Sequence, residues 1–357
     1  MPRFAWQQEK STVGEALRFA NTLRFFNTPP PIQYATASQD NITHQNMRER
    51  NFRTRITQGV YTLPAAIVIS CLLWLTAGYD NITAWEGFGI VVVVTYLLAE
   101  LNNRSTLLRI RSRMVSTSFV ILMAATPFFY TWSVDMIPML CLVAAYFPLF
   151  AAYGQARSAG YVFHAALCVG LGSLVYPPML LLAPVLLFSL AVSLRALSGS
   201  SFLALLFGLL LPYWLLLGVG VWFDDVQTEF APYIEAFQFQ KPDYSALSLP
   251  QIVTMAYVTL LAFVAMIHFA RVAYNDKIRT RMYFYVFILF ELVIMGALAM
   301  QPQKSDVLLR LYIVNSTPLI AHHFTLGRGR WANIWFGLCL LLLIGVLAFN
   351  MGYGKLF

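Results

Sequence analysis

The stretch from Ser158 to Asp225 constrains this chain more than any other. Its only ionisable side chains besides Tyr and Cys are His164, Arg195, Asp224 and Asp225. A backbone flanked by side chains this apolar belongs in a bilayer, where it must satisfy its own amides as helix. Tyr176-Pro177-Pro178 and Ser198-Gly199-Ser200 interrupt the run, which predicts three spans joined by two tight turns.

The rest of the chain extends the same reading. Charged residues make up 11% of the 357 residues, against about 25% in soluble domains. Apolar runs predict spans at 58–78, 84–101, 114–132, 136–153, 159–176, 178–195, 201–223, 249–271, 282–300, 305–325 and 331–351. The fold class expected is therefore all-α, a polytopic transmembrane helix bundle of eleven spans, with ten as the alternative if a weak run is re-entrant. The second span is the weakest, because GFGIVVVVTYLLAEL must borrow Ile82–Trp85 to cross. Cys71, Cys141, Cys168 and Cys339 all lie inside apolar runs and read as small buried hydrophobes.

Residues 1–56 form a polar, basic segment expected in the cytoplasm, and 57–357 the transmembrane domain. Within the first segment, Ser11-Thr12 and Glu15 look like a capping box. Val13, Ala16, Leu17, Ala20 and Leu23 then recur on one helical face, predicting an amphipathic helix over 12–27 that stops before Pro29-Pro30-Pro31. Such a helix lies either on the inner leaflet or against the protein's own cytoplasmic face.

Charge sets the orientation. With the amino terminus inside and loops assigned alternately, all but four of the 24 Lys and Arg fall in cytoplasmic segments; the exceptions are Lys241, Lys304, Lys355 and Arg310, the last inside a span. The positive-inside rule then puts the carboxyl terminus outside. Acids, which that rule does not use, favour the other side: Asp80, Glu86, Asp135, Asp224, Asp225, Glu229, Glu235, Asp243 and Asp306 are all outer. The net charge of +8 thus follows from topology. No basic stripe lies on a soluble module, so nucleic acid is not expected as a partner.

Ionisable groups within hydrocarbon are read first as functional. Glu291 lies in the ninth span and Arg310 in the tenth, and the short connection at Gln301–Lys304 makes these spans a hairpin. The two charges could meet there as a structural ion pair, or with Asn315 bind a polar or anionic substrate. His164, His268, His322 and His323 fall toward cytoplasmic span ends, but no two are spaced i,i+4 and no acid accompanies them, so no metal site is expected. The loop with Arg104, Arg109, Arg111 and Arg113 is explained by anionic headgroups alone, with phosphate binding as the alternative. Asp80, Asp224 and Asp225 are the candidates for a general base on the outer side. No P-loop, nucleophile elbow, zincin motif or dinucleotide fingerprint is present, and no cofactor is expected.

The segment FHAALCVGLGSLVYPPMLLLAPVLLFSLAVSLRAL, with the later FGLLLPYWLLLGV, also carries a resemblance. It is similar to an uncharacterised family of polytopic inner-membrane proteins of Gram-negative bacteria. In that family one span ends in S-L-hydrophobic-Tyr-Pro-Pro (here Ser173–Pro178) and a later span contains G-L-x-x-Pro-Tyr (here Gly208–Tyr213). The segments around Glu100–Arg104 and Asn315–His323 are similar as well, and the likeness covers 59–351. It implies fold and compartment, the multi-pass inner membrane, and transfers no activity. Three functions follow for consideration. The first is a non-catalytic subunit or scaffold in cell-envelope biogenesis, with membrane-protein partners. The second is a transporter or flippase of a lipid-linked or amphipathic substrate. The third is a membrane-embedded transferase or polymerase acting on lipid-linked sugar.

Overall fold

The computed structural model describes residues 52–77, 81–155, 157–222, 233 and 241–356. The amphipathic helix expected at 12–27, Asp80, Asp224 and Asp225 lie outside the described residues. Every regular element among the described residues is helical. A short α1 (Phe52–Thr57) leads into eleven helices. These are α2 (Thr62–Trp74), α3 (Ile82–Ser105), α4 (Met114–Ala124), α5 (Met136–Ala151) and α6 (Ala159–Val175). They continue with α7 (Leu182–Phe188, entered through a 3-10 turn at Pro177–Leu181 and left through a π turn at Ser189–Ser193) and α8 (Gly199–Trp222). The last four are α9 (Leu249–Val272), α10 (Ile278–Met300), α11 (Ser305–Leu326) and α12 (Arg330–Leu356).

Each helix from α2 to α12 corresponds to one expected apolar run. The lengths differ more than expected. Among the described residues, five helices are long and apolar enough to cross a membrane: α3, α8, α9, α10 and α12. At 1.5 Å per residue, a helix of 24 residues such as α8 reaches about 36 Å, more than the ~30 Å hydrocarbon core. The run expected to be helical over 114–132 stops at Ala124, because Pro127 opens a 3-10 turn over Pro127–Phe129. Pro184 similarly lies in a run that changes helix type twice. Proline removes a donor and crowds the preceding turn, so these segments tighten or loosen their winding instead of continuing as α-helix.

Hydrogen bonds at the helix ends and connections show that the described helices alternate in direction between two ends. At one end Ser112 bonds Thr57 O, Thr280 Oγ1 bonds Thr106 O, Gly154 N bonds Leu194 O, and Ser158 Oγ bonds Ala196 O. Arg53 completes this end, with Nη1 on Phe324 O at 2.6 Å and Nε on Asn333 Oδ1 at 3.2 Å. Burial lowers the pKa of that guanidinium from its ordinary value. At the opposite end Trp132 N bonds Thr83 O, Tyr176 OH bonds Gln301, Tyr244 OH bonds Ala299 O, and Asn350 Nδ2 bonds Ala125 O. Arginines gather at the first end, in the connections after α3, α5, α7 and α11 and, as Arg271, Arg279 and Arg281, in the adjoining turns of α9 and α10.

The centre of the bundle is α11. Apart from Asp306 and His323, all of its residues are buried, and it packs against α4, α5, α9 and α10. The α6–α8 pair forms a flank. On α8 only Ser201, Leu205, Gly208, Pro212 and Gly220 are buried, one stripe at helical spacing that faces α6. The backbones come close there: a Cβ on Gly208 would lie 2.5 Å from Phe163 O, and one on Gly170 3.0 Å from Leu209 O. Small residues allow this approach, which replaces hydrophobic burial as the source of helix packing in lipid. The two motifs of the central stretch meet here, with Tyr213 OH donating to Ser173 Oγ at 2.8 Å.

Candidate functional site

The ninth and tenth spans do form a hairpin, α10 and α11, and its polar residues meet one another across it. Glu291 on α10 faces Asn315 and Ser316 on α11. Asn315 Nδ2 donates to Glu291 Oε2 at 2.5 Å and to Phe287 O at 3.0 Å, while Tyr146 OH of α5 donates to Asn315 Oδ1. Ser316 Oγ contacts Glu291 Oε1 and lies 2.7 Å from Tyr312 O. Ser316 has one hydroxyl hydrogen, shared between those two acceptors. Glu291, Asn315 and Ser316 are all 0% exposed. This is a closed network, and closed networks of this kind fix one packing among several.

Arg310 does not join it. Antiparallel register puts Asn315 and Ser316 opposite Glu291, and Arg310 lies five residues earlier, about 8 Å along the axis. The guanidinium instead sits over the Phe129 ring, 3.9 Å from its centroid, with Nη1 3.1 Å from Asp306 O and 4.0 Å from Asp135 Oδ2. Its Nε has no hydrogen-bond partner among the described residues. Glu291 forms no ion pair among the described residues, so the hairpin is held by amide and hydroxyl groups and not by the Glu291–Arg310 pair.

A second polar cluster lies at the arginine-rich end, where sequence spacing gave no sign of it. His268 of α9 and His322 and His323 of α11 come together, with ring centroids 5.9 Å (His268–His322) and 4.6 Å (His268–His323) apart. Asp276, from the α9–α10 connection, bonds His322 Nε2 at 3.0 Å through Oδ2, both side chains fully buried. Arg109 Nε reaches Asp276 Oδ1 at 2.7 Å, and its Nη1 donates to Asn275 O at 3.2 Å. This chain ties the α3–α4 and α9–α10 connections to the central helix. No group of His, Cys, Asp or Glu among the described residues is placed to hold a metal ion. His164 stands apart, with Nδ1 2.6 Å from Gly160 O.

A cleft of about 520 Å³ opens at the same end between α5 and α6. Arg104 at the end of α3, His164 of α6 and Arg279 at the start of α10 supply its charged or titratable groups; Ala144, Phe147, Pro148 and Cys168 are among its apolar walls. Glu291, Arg310 and Asn315 do not line it. Of the four arginines of the 104–113 segment, Arg104 thus faces a cleft and Arg109 is taken up by Asp276.

Comparison with protein families, with curated proteins and with solved structures finds no match to this chain.

Proposed function

We propose that this chain is a multi-pass integral protein of the bacterial inner membrane, with eleven spans and its arginine-rich end in the cytoplasm. On this reading it acts as a non-catalytic subunit or scaffold in cell-envelope biogenesis, as the family resemblance of its central stretch also implies for fold and compartment. The observation that carries the reading is the closure of the polar core. Glu291, Asn315, Ser316 and Tyr146 spend their hydrogen-bonding groups on one another and on backbone, with no exposed surface left for a substrate. That favours a packing role over one in which Glu291, Arg310 and Asn315 line a path for a lipid-linked or amphipathic substrate. The outward surface agrees with a lipid setting, since Phe207, Leu210, Trp214, Leu215 and Val221 are all exposed along α8.

Glu291→Gln tests it. Glutamine keeps the shape and can both accept from Asn315 and donate to Ser316, so the variant should fold within ~1 kcal/mol of the parent. In a strain lacking the gene, it should restore growth and envelope integrity as fully as the parent, with no build-up of lipid-linked intermediates. A variant present at normal abundance that fails to complement, with such intermediates accumulating, would show that the carboxyl does chemistry or carries substrate.

A further inference from the structure

The cleft between α5 and α6 has a chemistry that the scaffold role does not use. The geometry points to a binding site for the phosphate-bearing headgroup of an anionic lipid, with the tail lying along the apolar wall. Three features carry this. The cleft, about 520 Å³, is large enough for a headgroup and the first part of a chain. Its two guanidinium groups and its imidazole (Arg104, Arg279 and His164) come from three separate helices, while the walls between them are largely aromatic or aliphatic. And each guanidinium makes a hydrogen bond and a ring contact beside the cleft. Arg279 Nε bonds Tyr283 OH, and its carbon lies 5.4 Å and 5.9 Å from the Tyr283 and Tyr153 ring centroids. Arg104 Nε bonds Glu100 Oε1 at 2.6 Å, with its carbon 5.8 Å from the Phe147 centroid.

In both arginines only Nε is engaged by these contacts. The planar fork therefore keeps Nη donors for an oxyanion, and phosphate accepts such donors in pairs. His164 donates through Nδ1–H to Gly160 O, which leaves Nε2 as its second polar atom. Glu100 offsets one positive charge, and this gives the proposal a test of opposite sign. The position also fits: this is the arginine-rich end, where anionic headgroups gather on basic residues, and the apolar wall runs from it along α5 and α6.

The experiment uses the full chain in phosphatidylcholine nanodiscs, titrated with a fluorescent short-chain phosphatidic acid. Binding should be at least tenfold tighter than for the matched phosphatidylcholine probe. Arg104→Gln/Arg279→Gln should lose at least tenfold, Arg111→Gln/Arg330→Gln (exposed arginines outside the cleft) should lose less than twofold, and Glu100→Gln should tighten binding severalfold. Ala144→Trp, which fills the apolar part without touching charge, should weaken the probe as well and serves if the double variant does not fold. Inorganic phosphate at millimolar concentration should leave the probe bound. Equal losses in the two double variants would overturn the proposal as general surface attraction. Full displacement by inorganic phosphate would assign the site to a free anion instead, and unchanged binding in Ala144→Trp would remove the lipid tail from it.

Discussion

Two helices of this protein, α8 and α11, have opposite compositions and opposite positions. α8 (GSSFLALLFGLLLPYWLLLGVGVW) has no charged side chain, yet it buries a single stripe and exposes Trp214 at 73%. α11 carries Asp306, Arg310, Asn315, Ser316, Thr317 and two histidines, yet it is buried almost throughout. In water the reverse arrangement would be favoured, because burying polar groups costs free energy and burying apolar ones releases it. In lipid the apolar face has nothing to gain by turning inward, and the polar one has every reason to. The difference between the two helices is thus an account of the solvent as much as of the fold.

The comparison can be broken from the α11 side first. Asn315→Leu removes the one group that joins Glu291, Tyr146 and Phe287 O, leaving three buried polar atoms short of a partner. A loss of ~4 kcal/mol is expected, read as a fall in the detergent or thermal unfolding midpoint; a variant as stable as the parent would show that the network contributes little. From the α8 side, Leu210→Arg puts a charge at the middle of the lipid-facing surface and should cost ~3 kcal/mol of membrane insertion, seen as loss of membrane-inserted protein. Normal insertion of that variant would place α8 in a polar setting. A smaller effect should come from Gly208→Ala, whose new methyl meets the Phe163 carbonyl. It should cost ~1–3 kcal/mol and pull α6 and α8 apart, measurable as weaker disulfide crosslinking between cysteines placed on the two helices. Unchanged crosslinking would mean the close approach is not required.

The helices were legible in the sequence because an apolar run is local information. Each of the eleven runs became a helix, and the errors fall where proline acts, as at Pro127 and in the Pro177–Ser193 run. The hairpin and the residues Glu291 and Asn315 were legible for the same reason, since the turn at Gln301–Lys304 is short. What joins them was not. Arg310 has its acid in Asp135, on a connection far earlier in the chain. Asp276, Arg109 and the histidines are brought together from α9, α11 and two connections. A search for i,i+4 pairs on one helix cannot find such a cluster. The same holds for Arg104, His164 and Arg279, which share a cleft because three helices end at one level. The prominent 158–225 stretch was a guide to the solvent, and the polar centre lay in the less apolar α11.

Carbene footprinting with a lipid-soluble diazirine tests the division between α8 and α11 most directly, because both helices are read in one sample. With the protein in its native membrane, peptides covering Phe207, Leu210 and Trp214 should be heavily labelled. Those covering Tyr312 to Thr317 should carry almost no label. Comparable labelling of the two would contradict the account, since it would place α11 against lipid and open the polar core that holds the bundle together.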